Sequence, residues 1–280
     1  MRQTSNFWIN FRMDMIMKKQ VLVATLAFSI MGAQNVMAEE AISILGDPCT
    51  APLAKKLGDA FTKKTGKNVK VEASACAAGI YKASQGEVNV GVSTHEVVLS
   101  YLPEGTANTV IAKAPTVVLV NRSNPVNDLK LQQLKDILAG KIKNWKEVGG
   151  NDLEIKNVLL QPCTTTIFSK STAPFGKDIK RLTPEKPMDP VAGTNKLVEE
   201  NEGAIGLQIY GYESAGVKVL TVDGHLPDEK TFPAKYKFYQ DYNVVTRENA
   251  AGDTRAFVDF ATSPEGQEIV ASLKHIRINK

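Results

Sequence analysis

Three cysteines in 280 residues are too few for a disulfide framework, and a chain this long buries a full core without one. Long apolar runs are equally scarce. After residue 38 none is long enough to span a bilayer, so the body of the chain reads as soluble. There is no glycine-rich nucleotide motif, no C-x-x-C pair, no internal repeat and no low-complexity segment. These absences weigh against nucleotide-dependent enzymes, thioredoxin-like redox proteins and repeat architectures. An excess of one charge is missing too. Of the net charge of +4, residues 1–38 supply +3 through Arg2, Arg12, Lys18 and Lys19 against Asp14. The remainder is close to neutral and carries no electrostatic footprint for nucleic acid.

What is present begins with an address. Lys18-Lys19 precede the apolar run Val21–Met31, then Gln34-Asn35, then Val36-Met37-Ala38. That order of charged, apolar and small residues is a secretory signal over 1–38, with translation starting at Met17 and cleavage after Ala38. A retained membrane anchor is the alternative. No cysteine stands at the cleavage point to take a lipid. The expected location is the periplasm, an oxidising compartment.

The rest alternates strand and helix signals. Ala41–Gly46 reads as a buried strand, and Pro52–Lys64 as an amphipathic helix ended by Gly66. Val69–Ala73 alternates like a strand, Gly79–Gln85 is a short helix, and Val88–Ser93 is another strand. This βαβαβ opening predicts an α/β fold with a parallel sheet covered by helices. A second series runs through strand Thr116–Asn121, helix Leu131–Leu138, strand Asn157–Leu160, a helix near Lys196–Glu200 and strand Ala204–Leu207. The chain closes with a strand near Asn243–Thr246 and a helix around Ala250–Leu273. Open α/β sheets bind ligands outside the carboxyl ends of their strands, which directs attention to the loops after Gly46, Ala73, Ser93 and Leu160.

The stretch Asn121–Gly150, NRSNPVNDLKLQQLKDILAGKIKNWKEVGG, resembles the segment NPxNPVxxLTxxQLxxIFxGKIxNWxxVGG of the periplasmic phosphate-binding family of ABC importers. Gly79-Ile80 with Gly86–Ser93, Glu202–Leu207 (EGAIGL) and Phe257–Glu268 (FVDFATSPEGQE) resemble further segments of that family in the same order. The resemblance implies a type II periplasmic-binding-protein fold, two lobes with a hinge and a central ligand cleft. Residues 39–112 and 238–280 would form one lobe and 113–237 the other. Ligand capture would close the lobes and present a surface to a membrane permease or a sensor histidine kinase. A monomer without cofactor is expected, and a binding protein rather than an enzyme.

The family holds phosphate on loops at helix starts, where free N–H groups and the helix dipole favour anions. At the matching places this chain reads Gly46-Asp47-Pro48-Cys49-Thr50-Ala51-Pro52, then Ser74-Ala75-Cys76-Ala77-Ala78-Gly79-Ile80, then Leu159-Leu160-Gln161-Pro162-Cys163-Thr164-Thr165. Cys76 and Cys163 align with serines, Asn89 with the family's aspartate, and Leu159 with its arginine. The cysteines are 27 and 87 residues apart, yet all three fall on these loops. Thiols are weak donors to an oxyanion, whereas three thiolates suit a trigonal, thiophilic centre. The leading expectation is therefore an arsenite-type ligand held by Cys49, Cys76 and Cys163. It fits a resemblance to solute-binding proteins that sense arsenic oxyanions beside histidine kinases. Ala77, Asn89, Thr50, Thr164 and Thr165 complete the expected ligand set, the threonines serving also as helix caps. The alternatives are retained phosphate on backbone N–H groups, a Cys₃His metal site completed by His95, and a disulfide between two of the cysteines.

Overall fold

A computed structural model describes residues 41–74, 77–159 and 189–278. The described strands are β1 (Ile42–Gly46), β2 (Val69–Ala73), β3 (Val90–Ser93), β4 (Thr106–Asn121), β5 (Asp128–Leu129), β6 (Lys156–Asn157), β7 (Ala204–Ile209), β8 (Val217–Val222) and β9 (Tyr239–Arg247). The described helices are α1 (Ala51–Thr65), α2 (Ala78–Gln85), α3 (Leu131–Leu138), α4 (Pro190–Glu199), α5 (Gly252–Thr262) and α6 (Pro264–Ser272).

Local chemistry accounts for the first of these. Helix α1 starts with Pro52 in its first turn, buries Leu53, Leu57 and Phe61 on one face, and carries Lys63 and Lys64 in its last turn. It stops at Gly66, whose N–H bonds the carbonyl of Thr62. Phe61 meets Phe257 and Phe260 of α5 with ring centroids 5.6 and 5.7 Å apart. Each such buried large side chain contributes roughly 1.5–3 kcal/mol.

The sheet runs β2-β1-β3-β9-β4-β7-β6, with β8 paired to both β4 and β5. Strands β1, β2 and β3 are mutually parallel, as the βαβαβ pattern predicts. Strand β9 pairs antiparallel to both β3 and β4. Strand β4 belongs to two neighbourhoods. Up to Pro115 it pairs with β9, and from Thr116 it pairs with β7. The side chains follow that division. Ile111, Ala112 and Ala114 join the core beneath α1, with Ile44, Val92, Leu57 and Phe257. Val118 and Val120 join a second core with Leu134, Trp145, Ile205 and Leu220. Val117 and Leu119 point to the other face, against Val198 and Val217. The two main cores thus meet where β4 passes Pro115 and where the chain enters β9 from Phe238.

Several elements differ from the sequence pattern. Strand β4 starts at Thr106, ten residues before the expected strand, because its first half is a polar-edged partner of β9 rather than an apolar run. Strand β8 was not expected. The closing helix is two helices, broken where Pro264 supplies no N–H and extended Ser263 caps α6 through Gly266 N–H. No described helix is long and apolar enough to cross a membrane.

Candidate functional site

The parallel trio β2-β1-β3 delivers three loops to one edge. Gly46 leads into α1, Ala73 leads towards α2, and Ser93 leads into Thr94-His95. Helix α2 lies directly on the strands because two facing residues lack side chains. A Cβ on Gly79 would stand 2.2 Å from the carbonyl oxygen of Leu45, and one on Gly91 would stand 2.1 Å from that of Gly79. This close approach seats α2 directly on β1 and β3.

At the start of α1 the central group is Asp47, which is 3% exposed. Its main-chain carbonyl accepts from Thr50 N–H and Ala51 N–H, both at 3.0 Å. Its carboxylate accepts from Thr50 N–H at 3.0 Å and from Ser93 Oγ at 3.4 Å. The main-chain N–H groups of Thr94 and Cys49 also bond it. Burial raises its pKa to about 6, against the opposing pull of those hydrogen bonds. Asp47 therefore ties the loop after β1 to the loop after β3, and it fills the beginning of α1 with the chain's own anion.

The expected site residues separate on this framework. Cys49 is half-buried and packs against the first core. Thr50 is fully buried. Its hydroxyl donates to the carbonyl of Asp47 at 2.9 Å and lies 3.4 Å from that of Val92, so it serves the loop rather than facing the cleft. The Tyr242 hydroxyl donates to the Thr50 carbonyl from below. Ala77 stands at the N-cap of α2, which has no side-chain cap. His95 is half-buried, with burial lowering its pKa; its N–H donates to Ser93 Oγ at 3.0 Å, and its carbonyl accepts from Asn243 at 2.8 Å.

Asn89 stands apart from these loops. It precedes β3, whereas the loops lie beyond Ser93, a separation of about 13 Å along extended strand. Its side-chain carbonyl accepts from both the N–H and the hydroxyl of Ser43 at 2.8 Å, which makes it a clip between β1 and β3. Leu159, where the family pattern has arginine, is buried in the second core. Cys76, Cys163, Thr164 and Thr165 lie outside the described residues. Among the described residues no group of three or more His, Cys, Asp or Glu side chains is placed to hold a metal ion.

Opposite the α1 loop, a cavity of about 530 Å³ is bounded by Pro48 and Pro52 on one side and by α4 with Ser214 on the other. Helix α4 contributes Val191, Ala192, Asn195, Lys196 and Glu199. Its start is closed by Asp189, whose carboxylate accepts from Val191 N–H at 2.9 Å and Ala192 N–H at 2.8 Å. Sequence reasoning missed Asp47. The available signal was an acidic residue just ahead of an amphipathic helix. Tyr212 and Tyr242, packed against His275 beneath the same loop, carried no such signal.

A family model described as the PBP superfamily domain matches residues 33–265. The phosphate-binding protein PstS of Bacillus subtilis is 26% identical over 245 residues, which are 84% of this chain and 79% of that protein. A phosphate ABC transporter substrate-binding protein of Clostridium perfringens, solved with bound phosphate, is 29% identical. It superposes with a TM-score of 0.74 over 86% of this chain and 100% of its own. An ABC-type phosphate transport receptor of Vibrio cholerae, 22% identical, shares the fold with a TM-score of 0.63 over 84% of this chain and 99% of its own. The chain has the type II periplasmic-binding-protein fold and belongs to the PBP superfamily, beside relatives of the PstS-like phosphate-binding family.

Proposed function

We propose that the chain is the solute-binding component of an ABC importer and takes a tetrahedral oxyanion, phosphate foremost, into the cleft bordered by the loops after β1, β2 and β3. The supporting observation is its likeness, across the whole length of the solved chain, to a substrate-binding protein with phosphate bound. In this reading residues 1–38 direct export to the periplasm and are removed. Residues 39–112 with 238–280 form one lobe and 113–237 the other, and the lobes close on the ligand before a membrane permease receives it. The role is capture rather than catalysis, with no cofactor. The uncapped start of α2 at Ala77 supplies N–H groups to the anion.

Arsenite on three thiols has less to support it. Cys49 packs towards the first core, Cys76 and Cys163 lie outside the described residues, and the relatives that the chain resembles are phosphate-binding proteins. Calorimetry on the reduced protein at neutral pH, titrating phosphate and arsenite separately with a thiol count before and after, tests the reading. Phosphate binding with the thiols unchanged is expected. Arsenite binding with loss of three thiols, and no heat with phosphate, would replace it with a thiol-based receptor.

A further inference from the structure

We propose that Asp47 sets the charge selectivity of the cleft: by filling the start of α1 with its own carboxylate, it makes the site favour the less charged of two tetrahedral oxyanions of the same shape. The proposal rests on the oxyanion reading above and concerns which anion that site accepts.

The N–H groups that a loop at a helix start would lend to a ligand are here already used. Those of Thr50 and Ala51 go to Asp47 at 3.0 Å, that of Cys49 goes to its carboxylate, and Pro52 has none. The helix start carries about half a positive charge, and a full negative charge now lies against it. The result is a net negative wall where the family pattern places an attractive one. The described groups facing Asp47 are hydroxyls and main-chain N–H groups. They come from Cys49 and Thr50 on its own loop, Ser93 at the end of β3, Thr94 just after it, Tyr212 after β7, and Tyr242 on β9. None of these is a cation that would cancel the carboxylate. Across the cavity Asp189 closes the start of α4 in the same way, and Lys196 is paired with Glu200 at 3.8 Å. With 3% exposure Asp47 does not present itself to the ligand. It acts through its field, which a dianion feels twice as strongly as a monoanion.

Monofluorophosphate and difluorophosphate separate charge from shape, being tetrahedral and carrying two and one negative charges at pH 7.5. Their affinities are measured by calorimetry, beside phosphate, for the wild type, Asp47→Asn and Asp47→Ser. Serine keeps a neutral cap if the asparagine variant does not fold. The expected result is a gain in the ratio of dianion to monoanion affinity of about tenfold or more in either variant. An unchanged ratio in a folded variant overturns the proposal, as does a wild-type preference for the dianion of about tenfold or more. If phosphate and both probes fail to bind the wild type and the variants alike, the oxyanion reading falls first and takes this proposal with it.

Discussion

Helices α1 and α2 leave the same edge of the same parallel strands, yet they begin in opposite ways. The start of α1 is closed by Asp47, which gathers N–H groups from its own turn and from the loop after β3. The start of α2 has Ala77 at its N-cap, whose methyl side chain makes no cap hydrogen bond. Helix α4, across the cavity, sides with α1 through Asp189. A helix start favours an anion on general grounds, but the anion can be the chain's own. What each end offers a ligand therefore depends on one residue ahead of the helix, and the fold alone does not decide it.

The most forceful way to break the contrast is to unseat α2. In Gly91→Ala the new methyl would meet a main-chain carbonyl at 2.1 Å, and backbone cannot swing aside as a flexible side chain does. The expected cost is about 3 kcal/mol or more, read from chemical denaturation, together with weakened phosphate binding. A loss below about 1 kcal/mol would show that α2 shifts readily on the sheet and that its start is not held in place for a ligand.

The α1 end is sharpened by pH. Asp47 has a folded pKa raised to about 6 from 3.8, so its contribution to stability is full below pH 3.8 and is lost as pH rises through 6. His275 is the reverse case. It is 2% exposed, its Nδ1 lies 2.9 Å from the carbonyl of Leu273, and burial lowers its pKa from 6.5 to about 4. Its contribution is full above pH 6.5 and is lost as pH falls through 4. Each amounts to on the order of 3 kcal/mol, and between pH 4 and 6 they oppose one another. Melting temperatures across that window should therefore vary little from these two groups in the wild type. Asp47→Asn should leave a protein that weakens as pH falls, and His275→Phe one that strengthens. Parallel pH profiles for both variants and the wild type would show that neither group titrates as its burial implies.

The parts of this molecule that were readable in the sequence are those written in local periodicity and punctuation. Helix α1 between Pro52 and Gly66, strand β2 and helix α3 fall where apolar spacing and breakers put them. Strand β4 was half hidden, because Thr106–Val110 alternates weakly and gains its partner from β9, more than a hundred residues later. The loops were legible as places, since ligands collect at the carboxyl ends of parallel strands. Their chemistry was less so. Asp47 looked like one polar residue in a turn, and only the return of β3 to its side turns it into a cap shared by two loops. Thr50 looked like a donor, and folding spends its hydroxyl on Asp47 and Val92.

Asn89 gives the finest test of the same contrast, because it marks the wrong end of β3. Alignment by motif put it among the ligand residues, but four residues of extended chain carry the strand about 13 Å from Asn89 to the loop after Ser93. Its hydrogen bonds return to Ser43, with Ser43 N–H and Oγ both donating to its Oδ1 and Asn89 N–H donating to Ser43 Oγ at 3.0 Å. Those bonds are exposed, so water replaces them cheaply. Asn89→Ala should cost about 1 kcal/mol or less in denaturation and leave phosphate affinity within about twofold. A tenfold loss of affinity without a matching loss of stability would move the ligand to that end of the sheet. The starts of α1 and α2 would then be features of folding alone, and the charge that Asp47 places at one of them would have no ligand to select.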